Sequence, residues 1–176
     1  INGVTQINGY TEFEQPQVIE NQDMAQLGYS DIRAYEIENA GELAWFVQHF
    51  YAGDLETQNV SLADNIDMSA LAAYSWTPLG YYNVETQTGK SYDGVFDGNG
   101  YSISNIILNQ INGVDLVSKV SEEQAAVLGT QPIENIAQNA LAGVFGYIGS
   151  AGHVTELKLE NTSITSNADA GVLTGR

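Results

Sequence analysis

The chain has no cysteine, and that absence removes disulfide staples, thiolate nucleophiles and Cys-type zinc sites at once. It leaves the compartment open, since an exported bacterial protein does not need cysteine. Bases are scarce too: 5 Lys plus Arg face 22 Asp plus Glu, for a formal net charge of −17 over 176 residues. A field of that sign repels nucleic-acid phosphates, anionic lipid headgroups and polyuronates, which excludes nucleic-acid binding. Charged residues are only 15% of the chain while hydrophobic ones reach 43%, so the acidity comes from missing bases within a composition that can fold. No apolar run approaches a membrane span, and Ile1-Asn2-Gly3-Val4 lacks the basic and apolar parts of a signal peptide. The expectation is a soluble chain without direct membrane insertion. Abundant Gly, Asn, Ser and Thr and ten Tyr suit an extracellular or bacterial cell-surface setting, where carboxylates and amides carry solubility.

The length fits one domain with a single core. Residues 1–34 are polar, punctuated by Gly3, Gly9, Pro16 and Gly28, and read as an arm or edge strand. From Tyr35 and Ile37 the pattern alternates as in a strand. Leu43, Phe46, Val47 and Phe50 then recur at helical spacing, opened by Asn39 and Glu42 as a variant capping box and closed by Gly53. Alternation returns at Val60, Leu62, Ile66 and Met68. Residues 81–92 read as a loop or hairpin, and Val95-Phe96 leads through the Asp97-Gly98-Asn99-Gly100 turn to Ile103, Ile106 and Leu108.

Self-similarity is the most informative feature. Residues 100–108 align without gaps with 151–159, which sets Ile103 on Val154, Ile106 on Leu157 and Leu108 on Leu159. Separately, Ala142-Gly143-Val144-Phe145 recurs as Ala170-Gly171-Val172-Leu173. Residues 110–139 interrupt the repeat, and Ser121 to Gly129 within them reads as a short helix on an insertion. Short strands with two or three inward apolar residues cannot bury their faces alone, whereas successive coils share a core. The expected fold is therefore all-β dominated: a right-handed parallel β-helix (β-solenoid) over 35–176 with an N-terminal capping α-helix and a helical insertion. Leu43, Phe46, Val47 and Phe50 would form the structural cap over the first open end. No comparable terminator follows Val172-Leu173, so a fragment of a longer solenoid, or association through the open C-terminal coil, is expected.

The order Tyr35 to Leu43, Val60 to Met68, Trp76-Thr77-Pro78-Leu79-Gly80 and Val95 to Ile106 resembles the GLUG-type repeat region of large bacterial secreted proteins. That group includes adhesin-like and filamentous-haemagglutinin-like exoproteins and the non-catalytic region of immunoglobulin A peptidase-type proteins. The resemblance covers about residues 35–109 and 140–176 and implies a parallel β-helix and a role in cell adhesion; it implies no catalytic residues. The usual Gly-Leu-Phe-Gly corner is Gly143-Val144-Phe145-Gly146 here, and the 110–139 insertion departs from the pattern.

Candidate chemistry is sparse. Asp93, Asp97 and Asn99 could hold a structural Ca²⁺, but Asp-Gly and Asn-Gly are turn formers first, and the spacing matches neither an EF-hand nor a calcium nonapeptide. No other cofactor is expected. His49 and His153 lack ligand spacing, and no nucleophile-elbow, zincin or phosphate-loop motif occurs. Arg33, Lys90, Lys119 and Lys158 are too scattered for a groove that binds an acidic glycan. Trp76, Tyr81, Tyr82 and Tyr92 are the candidate ligand-binding platform, for a glycan or protein ligand, set against a purely structural role with Trp76 in the core and the tyrosines flanking strands. Asn105, Asn109 and Asn161 are expected at corner amide ladders. The sequence thus predicts a non-enzymatic, adhesin-like interaction module, with the scaffold portion of a secreted hydrolase as the alternative.

Overall fold

A computed structural model describes residues 4–7, 10–53, 55–83, 87–113, 116, 141–167 and 169–174. The chain opens with β1 (Val4–Ile7) and β2 (Tyr10–Phe13), an antiparallel hairpin whose Phe13 side chain enters the core. Then β3 (Gln17–Glu20) runs antiparallel to β4 (Arg33–Ile37), with Val18 opposite Tyr35. Between them α1 (Gln22–Gln26) starts where the Asn21 side chain accepts from Asp23 N and buries Met24. The segment read as a polar arm or edge strand thus supplies the edge strand β3 and buries Phe13, Asn21, Met24 and Ala34.

Helix α2 (Ala40–Ala52) forms where the apolar spacing predicts it. Asn39 Oδ1 accepts from Glu42 N at 3.0 Å, and Glu42 Oε2 accepts in return from Glu38 N at 2.7 Å, so the reciprocal bond reaches one residue further back than in a capping box. At the other end Lys90 Nζ donates to Gly53 O at 2.8 Å, pairs with Glu56 at 3.0 Å and lies 5.0 Å over the Phe50 ring. A cation there complements the negative end of the helix. Leu43, Phe46, Val47 and Phe50 are all buried, but so are Ala40, Ala44, Glu42 and Gln48 on other sides of the helix. Among the described side chains of the helix, Trp45 and His49 remain half-buried.

Ten further strands follow: β5 (Asn59–Leu62), β6 (Ile66–Asp67), β7 (Tyr81–Asn83), β8 (Thr88–Lys90), β9 (Val95–Asp97), β10 (Ser102–Ser104), β11 (Ile107–Asn109), β12 (His153–Thr155), β13 (Lys158–Glu160) and β14 (Ser163–Thr165). The described strands form five small sheets: β12-β9-β5-β4-β3, β13-β10-β6, β11-β14 and the hairpins β1-β2 and β7-β8. Pairing is parallel along β4, β5, β9 and β12, setting Val60 beside Phe96 and Phe96 beside Val154. It is antiparallel at β3 and in both hairpins.

This corrects the expected fold class. The described residues form several small mixed sheets, none closed or continuous, and no right-handed parallel β-helix is established. The physical reason is that strands of two to five residues, interrupted by α2, a 3-10 turn at Met68–Leu71 and two hairpins, divide the backbone hydrogen bonding among local sheets. The expected helix at Ser121 to Gly129 lies outside the described residues. At the start of the insertion, Leu116 is buried, its N–H donating to Ser75 O and its carbonyl accepting from Gln48 Nε2.

The internal alignment is also corrected. Ile103 pairs with Leu159, not Val154, and Leu108 pairs with Ile164, not Leu159. The apolar spacing tolerates a slip by one strand, and the turn Asp97-Gly98-Asn99-Gly100 decides the register. Asn99 and Gly100 take positive φ of 49° and 78°, and a Cβ on Gly98 would sit 2.4 Å from Leu157 Cα. The second repeat pairs as aligned only at its start: Ala142 bridges Ala170 in parallel, whereas Phe145 bridges Thr174, one residue beyond the aligned Leu173.

Candidate functional site: an aromatic hairpin and two acidic depressions

The β7–β8 hairpin sets Tyr81 opposite Lys90 and Tyr82 opposite Gly89. Both tyrosines are half-buried. The Tyr82 ring meets Tyr147 edge-on at 5.4 Å between centroids, and Tyr81 lies 6.2 Å from Tyr51. The Tyr51 hydroxyl donates to Pro78 O, which ties the base of the hairpin to α2. Tyr147, which the sequence reading did not single out, completes the surface pair.

Trp76 and Tyr92 do not join this platform. Trp76 is buried and donates from Nε1 to Val144 O at 3.0 Å. Tyr92 is fully buried among Phe46, Phe50, Phe96 and Phe145, with ring centroids 6.1 to 6.5 Å away, and its hydroxyl donates to Gln58 O. Burial pushes the Tyr92 phenol well above its ordinary pKa. Of the four aromatics expected together, Trp76 and Tyr92 lie in the core, while Tyr81 and Tyr82 stay half-buried on the hairpin beside Tyr147. Composition does not separate a tyrosine that ends in a carbonyl partner inside the core from one that ends in water.

Two shallow depressions are lined by carboxylates and amides. One, of about 340 Å³, lies between the start of α2 and the 3-10 turn and is lined by Glu38, Asn39, Asp64, Asn65, Asp67 and Ser69. Asp67 accepts from Asn105 Nδ2 at 2.8 Å and from Ser69 N at 2.9 Å, and these donors hold its carboxyl below the ordinary range. The other lies beside Glu20, Asp23, Glu36, Asn99 and Tyr101. At its base Asn21 Nδ2 donates to Ser61 Oγ and to buried Asp97 at 3.2 Å each, a polar link from α1 to the β5–β9 ladder. Turn-type Asp and Asn residues are the only sequence signal for either depression.

Asp97 Oδ1 accepts from Asn99 N at 2.8 Å, so these two residues build the turn itself. Asp93 accepts from Ser91 Oγ and, at 3.2 Å, from Ala151 N. No cluster of three or more His, Asp or Glu suited to a metal ion occurs among the described residues. Asn105 and Asn161 occupy positive-φ corners, whereas Asn109 caps its own turn by accepting from Ile111 N and Asn112 N. His49 stacks on Trp45 at 3.8 Å, and its Nδ1 lies 2.9 Å from Trp45 O; burial lowers the pKa of the ring. His153 is exposed on β12, 6.0 Å from the Tyr29 ring. The described bases are engaged locally: Arg33 with Asp31, Lys90 with Glu56, and Lys158 with Gly100 O.

Among the described residues no helix is long and apolar enough to cross a membrane. No protein-family model matches the chain, and no solved structure matches it. The chain is similar to halomucin of Haloquadratum walsbyi, with 28% identity over 143 residues. That match covers 80% of the chain and 1% of halomucin's own length.

Proposed function

We propose that the chain is an extracellular or cell-surface module that acts by structure and interaction rather than by catalysis, displaying the β7–β8 hairpin to a glycan or protein ligand. The observation that carries this reading is the similarity to halomucin along most of the chain, a protein whose name places it among mucins. The net charge of −17 fits the same setting, because a carboxylate-rich surface stays hydrated and repels its like. The Tyr82–Tyr147 pair is the feature best suited to hold a neutral ring, since two edge-to-face aromatics offer both a flat apolar face and hydroxyl groups.

The test has two parts. Antibody labelling of intact cells that carry the full gene should reach the module without permeabilisation; labelling only after lysis refutes the surface reading. A glycan array with the chain and its Y81A/Y82A variant should show binding that the variant loses. Equal binding by both removes the hairpin from the proposal.

A further inference from the structure

The triplet Asn-x-Ser/Thr occurs twice, as Asn59-Val60-Ser61 and as Asn161-Thr162-Ser163. It is the acceptor pattern for N-linked glycosylation, in which the amide receives the sugar and the hydroxyl two residues on is read by the transferase. The fold treats the two copies oppositely. Asn59 lies in β5 and is 7% exposed. Its Nδ2 donates to Asp31 O at 2.9 Å and to Arg33 O at 3.1 Å, and its Oδ1 accepts from Val95 N at 2.9 Å. That amide ties β4, β5 and β9 together, and a sugar on it would displace these bonds. Asn161 stands instead at the corner between β13 and β14, with φ of 50°. Asn161 and Ser163 are exposed, while Thr162 between them is half-buried with its hydroxyl turned inward. The amide and the hydroxyl that the pattern requires therefore both face solvent, and among the described residues no bond engages the Asn161 side chain. This access belongs to the corner rather than to the edge of a sheet. Asn105 follows β10 as Asn161 follows β13, with a left-handed φ of 59°. A strand lies on each side of β10, yet Asn105 is still half-exposed, and Asp67 at the end of β6 is exposed. A side chain at this corner points away from the stack, so a further strand laid on β13 leaves it within reach.

We propose that Asn161 is an N-glycosylation site and that Asn59, with the same pattern, carries no glycan in the folded protein. The inference rests on the extracellular or cell-surface reading above, because this pattern is used on exported chains. The co-reactant is a lipid-phosphate-linked oligosaccharide held by a membrane transferase. Asn161 Nδ2 bonds to the anomeric carbon of the sugar, the bond from that carbon to the lipid phosphate breaks, and the phosphate leaves with the electron pair. The amide proton passes to a base of the transferase. The glycan then extends from the corner into solvent, and no buried side chain has to move to admit it.

Mass spectrometry of glycopeptides from the intact protein, isolated from cells that carry the full gene, tests this. The expected result is a glycan on the Asn161 peptide and a bare Asn59 peptide. N161Q and S163A should each lose the glycan completely, whereas S163T should keep it, because threonine supplies the same hydroxyl. These changes fall on exposed side chains, so circular dichroism should stay that of the parent chain. A bare Asn161 peptide, a glycan that survives N161Q and so sits on Thr162 or Ser163, or a glycan on Asn59 in the folded protein would each overturn the proposal. Antibody labelling of the same cells separates the two failures. A labelled surface with Asn161 bare sinks the glycan alone; labelling only after lysis, with Asn161 bare, sinks the surface reading as well.

Discussion

Phe96 and Val154 are neighbours in one parallel ladder, yet Phe96 is 2% exposed and Val154 is half-exposed. The same contrast separates Ile103 from Leu159, Leu108 from Ile164, and buried Phe145 from Leu173, which is 42% exposed. Residue type and alternation are alike on the two sides. What differs among the described residues is the number of neighbouring strands: β9 and β10 are flanked on both sides, and β12 and β13 on one. Burial in this molecule is set by the count of neighbours more than by local pattern, and that makes the interior strands the seat of stability and the 153–165 segment a surface with apolar content.

The sharpest way to break the contrast is a pair of truncations. Phe96→Ala removes a ring that meets Tyr92 and Phe145 in the core, and should cost about 3–5 kcal/mol in urea unfolding; Val154→Ala should cost about 1 kcal/mol or less. Equal losses would mean that the edge is as well packed as the interior. Asn39→Ala leaves the Glu42 N–H at the start of α2 without its side-chain acceptor, and should lower stability by about 1 kcal/mol.

On the edge segment the effect should reverse sign. Glu156 holds φ at 49°, a left-handed conformation unfavourable to a side chain. Glu156→Gly should therefore gain roughly 0.5 kcal/mol after the entropy of glycine is charged against it, read as a rise in Tm. The smallest effect concerns pH. His49 has a lowered pKa in the folded chain, so the unfolded chain takes up the proton first, and stability falls as the pH drops through about 6.5. His49→Gln should flatten that part of the profile. Burial raises the Glu42 pKa, with Glu38 and Glu14 adding repulsion, so its contribution has the opposite sign: acidification relieves a strain present at neutral pH. A profile unchanged by His49→Gln would show that the ring ionises freely in the fold.

Helix α2 was legible because three signals agree there: Asn39 as cap, apolar residues at helical spacing, and Gly53 at the end. The strand residues Val60, Leu62, Ile66, Ile103 and Leu108 were legible as inward positions, and all are buried. Their partners were less so. Matching Ile103 to Val154 conserves apolar character as well as the true match to Leu159 does, and only the geometry of the turn before β10 separates the two. The expected β-helix failed for a related reason: a repeat in sequence specifies which positions are apolar, but not whether short strands join into one continuous sheet or divide into five. At the candidate site, Tyr81 and Tyr82 lie on the hairpin beside Tyr147, which the sequence did not single out. Trp76 and Tyr92 take the structural role that was weighed against the platform, because an aromatic residue beside a strand reads the same whether it faces the core or the solvent. The acidic depressions had no legible signature beyond turn residues, since they join segments far apart in sequence.

The near-equivalence of the two alignments has a kinetic consequence. A chain collapsing from denaturant meets two strand pairings of similar apolar content, one of them a strand out of step, and the wrong one must be dismantled before the turn at Asp97 to Gly100 can close. Refolding should then show a slow phase with no proline isomerisation behind it, and Gly98→Ala, by obstructing the close approach to Leu157, should enlarge the trapped fraction. The residues that choose the register are therefore also those that keep the protein from becoming caught on its way to it.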